Sequence, residues 1–317
     1  MTDFSAYPEL LAVQPMLSSP DPAIRRVGLL QIVDLADEVP EPFVAAAGDE
    51  DAGVRLEAAK ALEGNANPEA IRALARLLDD PDAEVADNAA LSLGEILDPA
   101  AGPVLLQLLR EAGGEARGAL LGALRKLRYP PVLADAVALA GDASPAVRRE
   151  AVGVLAYLKD ASVVPALLRR VREDDDPEIR RMAVGALVFA AHPDVAATVG
   201  LALADEDWQV RQEAAGTLGK LKCLESIPGL IKALDDAAWE VRLKAANALG
   251  GVRAAAALPA LIANLAHPIS NVRKEVANAL GAIGDPGAIA ALRDALEADR
   301  DIEVRKAAQR ALEALGG

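Results

Sequence analysis

The chain has 317 residues, of which 52% are hydrophobic but only 3% aromatic, so its apolar content is mostly Ala, Leu and Val, which suits thin, closely packed helices better than a deep globular core. A formal net charge of −15 disfavours a nucleic-acid binder or a protein of anionic membranes, both of which need a positive field, and no run of 18 uninterrupted apolar residues is present to cross a bilayer. The single cysteine, Cys223, can form no intramolecular disulfide, and the opening MTDFSAYPELLAVQPM lacks the basic start and long apolar run of a signal peptide, so a cytoplasmic protein is expected.

Residues 1–19 are expected to form the first helix of an N-terminal capping unit (1–40), with Phe4 and Tyr7 covering the apolar end that a stacked array must hide from water. From there a Val-Arg or Ile-Arg landmark recurs, its second residue falling at Arg25, Arg55, Ala86 (where Arg is missing), Arg117, Arg148, Arg180, Arg211, Arg242, Arg273 and Arg305, at spacings of 30 to 32 residues. A period near 31 accommodates two helices of about 12 residues and two short turns. Each unit therefore reads as one helical hairpin.

Four residues before the landmark stands a helix-capping type at Asp21, Asp51, Asp82, Ser144, Asp176, Asp207 and Asp301, with Gly113, Ala238 and Ile269 departing. Proline follows at Pro22, Pro145 and Pro177, so the second helix of each hairpin starts here. Its pattern, as in RQEAAGTLG (211–219) and RLKAANALG (242–250), puts small residues and Leu on one stripe facing the core. The first helices carry Leu or Ile at helical spacing, as in IPGLIKALDD (227–236) and LPALIANLAH (258–267), and should pack on the second helices. The expected fold is all-α: a single right-handed α-solenoid of about ten hairpins over 1–317, with central repeats at 41–285 and a C-terminal capping repeat at 286–317, where RKAAQRALEALGG ends on a Gly-Gly helix stop.

The Asp-Pro-x-Val-Arg-x-x-Ala-Ala-x-Ala-Leu-Gly-x-Ile-Gly-Asp-Pro pattern, clearest at 270–287, resembles the HEAT-like repeats of bacteria and archaea that also occur in phycobilin lyases. The resemblance covers residues 20–317 and speaks to fold, because the matching residues are those that cap and pack hairpins. It also implies an alternative function, an accessory lyase or chaperone-type protein for cofactor or pigment attachment. The HEAT-like deoxyhypusine hydroxylases carry repeated His-Glu ligand pairs, and none occurs here: His192 and His267 are the only histidines, far apart in the repeat count. HEAT-like DNA glycosylases present a basic concave face, which an acidic chain does not suggest. With no phosphate loop, nucleophile elbow or Cys-x-x-Cys, no catalytic residue, metal or cofactor is expected.

What remains is binding of a protein or peptide. Acidic clusters recur between the two helices of a unit, such as Asp49-Glu50-Asp51 and Asp205-Glu206-Asp207, and read as caps, with the landmark Arg pairing to the caps of neighbouring units in a ladder. Positions one, two, five and nine residues after the landmark should line the concave face. Five after come Gly122, Gly153, Gly185 and Gly216, then Asn247 and Asn278, which implies a shallow glycine-floored trough. Beside it Tyr157, Phe189 and Met182 are expected to serve as partner anchors. Lys126, Arg149, Arg181, Lys220, Lys244 and Lys274 on the same face suggest a mildly positive groove suited to an acidic helix with an apolar anchor. Trp208 and Trp239, in adjacent units just after the cap position, are possible edge contacts. Cys223 falls beside Lys220 and Lys222 in a turn and reads as an incidental loop cysteine, with a reactive or ligand-attaching thiol as the alternative.

Overall fold

The computed structural model describes residues 7–190 and 192–316, so Phe4 lies outside the described residues. Twenty α-helices and no strand are found among them, and they group into two compact units, Met1–Leu158 and Lys159–Gly317. The first unit contains the hairpins α1 (Pro8–Leu17) with α2 (Pro22–Gln31), α3 (Glu41–Ala46) with α4 (Ala52–Ala61), α5 (Pro68–Leu77) with α6 (Ala83–Gly94), α7 (Gly102–Glu111) with α8 (Gly114–Lys126), and α9 (Leu133–Leu139) with α10 (Pro145–Leu158). The second contains α11 (Val164–Glu173) with α12 (Pro177–Ala186), α13 (Pro193–Leu201) with α14 (Trp208–Leu221), α15 (Ile227–Ala233) with α16 (Trp239–Gly251), α17 (Leu258–Asn264) with α18 (Ser270–Ile283), and α19 (Ile289–Ala298) with α20 (Ile302–Ala314). The fold is an α-solenoid of hairpins.

The second helices begin where an aspartate can cap them. Asp21, Asp51, Asp82, Asp176, Asp207 and Asp301 each accept a backbone N–H of the first turn, satisfying a donor that the helix leaves orphaned. Gly113, Ala238 and Ile269 make no such bond. The apolar residue before the landmark is core from the second hairpin onward: Val54, Val85, Val147, Ile179, Val210, Val241, Val272 and Val304 are at most 1% exposed. Its counterpart Ile24, which has no preceding hairpin among the described residues to cover it, is 42% exposed. Leu230, Leu261 and Leu292 of the first helices meet this stripe and are fully buried.

The landmark arginines form the expected ladder, with a shift of partner. Arg25 donates through Nε and Nη2 to Asp49 and through Nη1 to the carbonyls of Ser19 and Pro20, so it closes its own turn and ties it to the next. Arg55 does the same with Asp80 and the carbonyls of Asp49 and Glu50; Arg180, Arg211 and Arg273 repeat it with Asp205, Asp236 and Asp299. The acceptor is therefore not the cap but the aspartate two residues before it. Asp49, Asp80, Asp205, Asp236 and Asp299 each also accept the backbone N–H of the cap position, which preorganises the helix start.

One rung of the second unit is chemically different. Opposite Arg242 the acceptor position holds His267, whose Nδ1 accepts the Ile269 N–H at 3.1 Å, the bond an aspartate makes elsewhere. Arg242 reaches only the Asp236 carbonyl and has no ion pair among the described residues. Burial, followed by the charge of Arg242, holds the His267 imidazole below its ordinary 6.5. Because the folded value lies below the unfolded one, the neutral ring's contribution to stability is present above the unfolded value and is lost as pH falls through the folded one. His267→Asp should complete the rung, raising stability by about 1 kcal/mol and removing this dependence between pH 7 and about pH 5; unchanged urea midpoints across that range in both proteins would contradict it.

Candidate partner-binding surface

Within each unit the second helices pack directly on one another. A Cβ added at Gly219, Gly250 or Gly281 would come within 2.8 Å of Ala248, Ala279 or Ala311 on the next second helix. First helices approach their counterparts less closely, so the second-helix layer is the shorter one and lies on the inside of each unit's bend. Side chains one, two, five and nine after the landmark stand on that layer and are spared from packing: Lys126, Arg149, Lys220, Lys244, Asn247 and Asn278 are exposed, and Arg181 and Lys274 are half-buried.

The predicted glycine row is present, and its reason lies in the neighbouring hairpin. The residue two after the next landmark lies over each glycine: a Cβ at Gly122 would be 3.5 Å from Glu150 Oε2, at Gly185 2.9 Å from Glu213 Oε1, and at Gly216 3.9 Å from Lys244 Cδ. In the same stagger, Asn247 donates to Glu275 at 2.6 Å. Gly153 is half-buried on α10. The glycines are thus a bed for long charged side chains and not a bare floor.

The α6–α8 junction departs from this arrangement. Between α6 and α8 the five-after position is Leu91 and the facing two-after position is Ala119, so nothing long covers the pair and Leu91 is 64% exposed. A trough of about 750 Å³ opens there, bordered by Asp87, Leu91, Glu115, Gly122, Lys126 and Arg149. Leu91 was not among the residues expected from sequence, although its place in the glycine row marks it.

Some cations of this layer are paired. Lys126 pairs with Glu95 at 2.9 Å, Arg125 with Glu150 at 3.2 Å, and Arg181 with Glu178 at 2.6 Å. Lys220, Lys244 and Lys274 form no ion pair among the described residues, so carboxylates on the same or the adjoining helix neutralise only part of the positive charge expected from sequence.

Of the expected aromatic anchors, Tyr157 belongs to the first unit; it is 41% exposed and lies under the Arg128 guanidinium, 5.2 Å from the ring centroid. Met182 and Phe189 belong to the second unit. α12 ends at Ala186, so Phe189 sits in a 3-10 turn and not on the helix. It borders a pocket of about 480 Å³ together with His192, Lys220, Lys222, Cys223 and Glu225. Cys223 is buried, accepting from Ser226 Oγ at 2.9 Å and donating to Glu225 Oε2 at 3.3 Å, so the structure sets it against a carboxylate as well as the predicted lysines. Trp208 and Trp239 open α14 and α16; Trp208 is exposed and Trp239 half-buried.

Both histidines act as local turn caps, His192 Nδ1 accepting the Asp194 N–H and His267 Nδ1 that of Ile269. Among the described residues no group of three or more His, Cys, Asp or Glu is placed to hold a metal, and no single helix is long and apolar enough to cross a membrane.

The sequence matches the family described as HEAT repeats over residues 39–125, 131–219, 195–268 and 227–313. No curated protein matches it. Among solved structures, an engineered protein is similar over 98% of this chain and 99% of its own, at 23% identity and a TM-score of 0.57. Kap95p in its complex with RanGDP is similar over 96% of this chain and 49% of its own, at 16% identity and a TM-score of 0.65. Yeast importin-beta (Kap95p) in a second structure gives 96% and 50%, at 16% identity and a TM-score of 0.61. The chain spans about half the length of Kap95p, and at these identities the likeness is one of fold.

Proposed function

Because the chain belongs to the HEAT repeat family, we propose that it is a non-catalytic scaffold or adaptor that clasps a partner protein or peptide along the second-helix layer of its units. The observation that carries this reading is that layer itself: stacked helices whose packing is completed by glycine, alanine and valine present exposed side chains that no packing requirement explains, Leu91 beside the trough and Lys244 among them. A protein of similar fold, Kap95p, is described as binding RanGDP and as forming a complex with Nup1, which supports protein binding as a use of such an array.

A photo-crosslinking amino acid at Arg149 or Lys244, on the second helices, should capture a partner from native extract, whereas the same probe at Gln107, exposed on the first helix α7, should not. Capture from Gln107 alone would place the working surface on the opposite layer and overturn the reading. The accessory-attachment alternative makes a different forecast, a chromophore or covalent adduct on the purified protein; an intact mass equal to the sequence mass and an absorption spectrum of protein alone would count against it.

A further inference from the structure

The junction of Leu91 and Ala119 departs from the arrangement of the glycine row. At four junctions the five-after residue is Gly122, Gly185, Gly216 or Asn247, opposed by Glu150, Glu213, Lys244 or Glu275 of the next hairpin, whereas in α2 and α4 it is Leu30 and Lys60, Leu30 being 52% exposed with Glu57 at the position opposite. At the α6–α8 junction the five-after residue is again large and apolar, Leu91, and here the position opposite holds an alanine too short to shield it. Packing does not demand this leucine, since Leu91 remains 64% exposed. An exposed leucine that borders a trough offers a seat for an apolar side chain of a second molecule.

The charges around it specify the cover. Asp87 precedes Leu91 by one helical turn, and Glu115 precedes Ala119 by one turn, so two carboxylates lie about 6 Å along the helices from the apolar notch. Both are exposed, and neither forms an ion pair or side-chain hydrogen bond among the described residues. On the other side of the notch Lys126 and Arg125 already pair with Glu95 and Glu150. The uncommitted charge at the rim is negative, within a chain of net charge −15.

Resting on the scaffold reading above, we propose that the notch of Leu91 and Ala119 on the α6–α8 surface docks a basic segment of the partner protein, with an apolar side chain seated on Leu91 and Lys or Arg one helical turn away on Asp87 and Glu115. The polarity at this notch is opposite to that expected of the layer from sequence, because Lys126 is paired with Glu95 while Asp87 and Glu115 are exposed. The apolar seat supplies anchoring, and the carboxylates set orientation and the rate of encounter.

The test uses three fluorescent helical peptides on the full chain: one with a single leucine flanked at one turn by lysines, one with that leucine replaced by serine, and one with the lysines replaced by glutamate. In anisotropy titrations at about 150 mM salt, the lysine–leucine peptide should bind at least about tenfold more tightly than either control. Leu91→Ser and the double variant D87N/E115Q should each remove that advantage, while Leu201→Ser, at an exposed leucine of the second unit, should not. All four positions are exposed, and circular dichroism checks that the variants fold. Equal binding of the leucine and serine peptides would show attraction to net charge alone and overturn the proposal. So would indifference to Leu91→Ser, or no binding of the lysine–leucine peptide. If crosslinking at Arg149 or Lys244 still captures a partner while Leu91→Ser has no effect, the scaffold reading stands and the notch is lost. If that crosslinking fails as well, both fall.

Discussion

Asp205→Ala should cost the second unit about 2–3 kcal/mol, somewhat below the 3–5 typical of stripping one partner from a fully buried pair, because this turn still faces water. The substitution removes the bidentate acceptor of Arg180, whose side chain is 9% exposed against 11% for Asp205, and the acceptor of the Asp207 N–H that sets the start of α14. Asp205→Asn keeps the latter bond and should lose less. Urea denaturation followed by circular dichroism reads both, and an Asp205→Ala midpoint within error of the wild type would refute the ladder's role. The same geometry gives a pH dependence. Burial pushes the Asp49, Asp205 and Asp236 carboxyls up, but their arginine and cap N–H bonds outweigh it; for Asp80 and Asp299 the arginine bond is the largest influence, and all five end below the usual 3.8. A depressed carboxyl contributes stability that is present above its unfolded value and lost as pH falls through the folded one. The ladder's contribution should therefore be level from neutral pH to about pH 5 and fall away below about pH 4.

The hairpins were legible because packing writes them with a fixed period. Val210 and Leu218, or Val241 and Leu249, recur where the helix stripe must meet its partner, and an aspartate recurs where α14 must begin. The ladder was legible as a ladder, yet its acceptor was misplaced by two residues, since Asp49 and Asp51 stand in one acidic cluster and only geometry shows that the first holds arginine while the second caps. Phe189 was set on a helix because the period runs on to it; the chain instead tightens after Ala186 into a 3-10 turn that leads to His192 and Pro193. Contacts across hairpins were the least accessible. The stagger that lays Glu213 over Gly185, or Arg128 over Tyr157, depends on the rotation between neighbours, which no single repeat encodes. That stagger lays charged side chains over Gly122, Gly185 and Gly216, where the sequence suggests a bare floor.

Two kinds of glycine occupy the second helices, and they should respond to substitution with opposite signs. At Gly250 an added Cβ would meet the Ala279 backbone at 2.8 Å from Cα, and the helices α16 and α18 could accept it only by moving apart. Gly219 against Ala248 and Gly281 against Ala311 are built alike. Gly216, by contrast, has nothing nearer than 3.9 Å, the Cδ of Lys244, a flexible side chain that can shift. Gly216→Ala should therefore stabilise by up to about 1 kcal/mol through helix propensity and a less disordered unfolded chain. Gly250→Val should destabilise by about 3 kcal/mol, at the upper end of overpacking costs, because rigid backbone stands on the opposing side. A hairpin in such an array contacts only its neighbours, so separating α16 from α18 cuts the last two hairpins off from the support of the rest of their unit. Hydrogen exchange in Gly250→Val should accordingly rise in α17 to α20 before it rises in α11 to α14. Uniform exchange across the unit, or equal midpoints for the alanine and valine variants, would show that the close approach of the second helices does not set the stability of this layer.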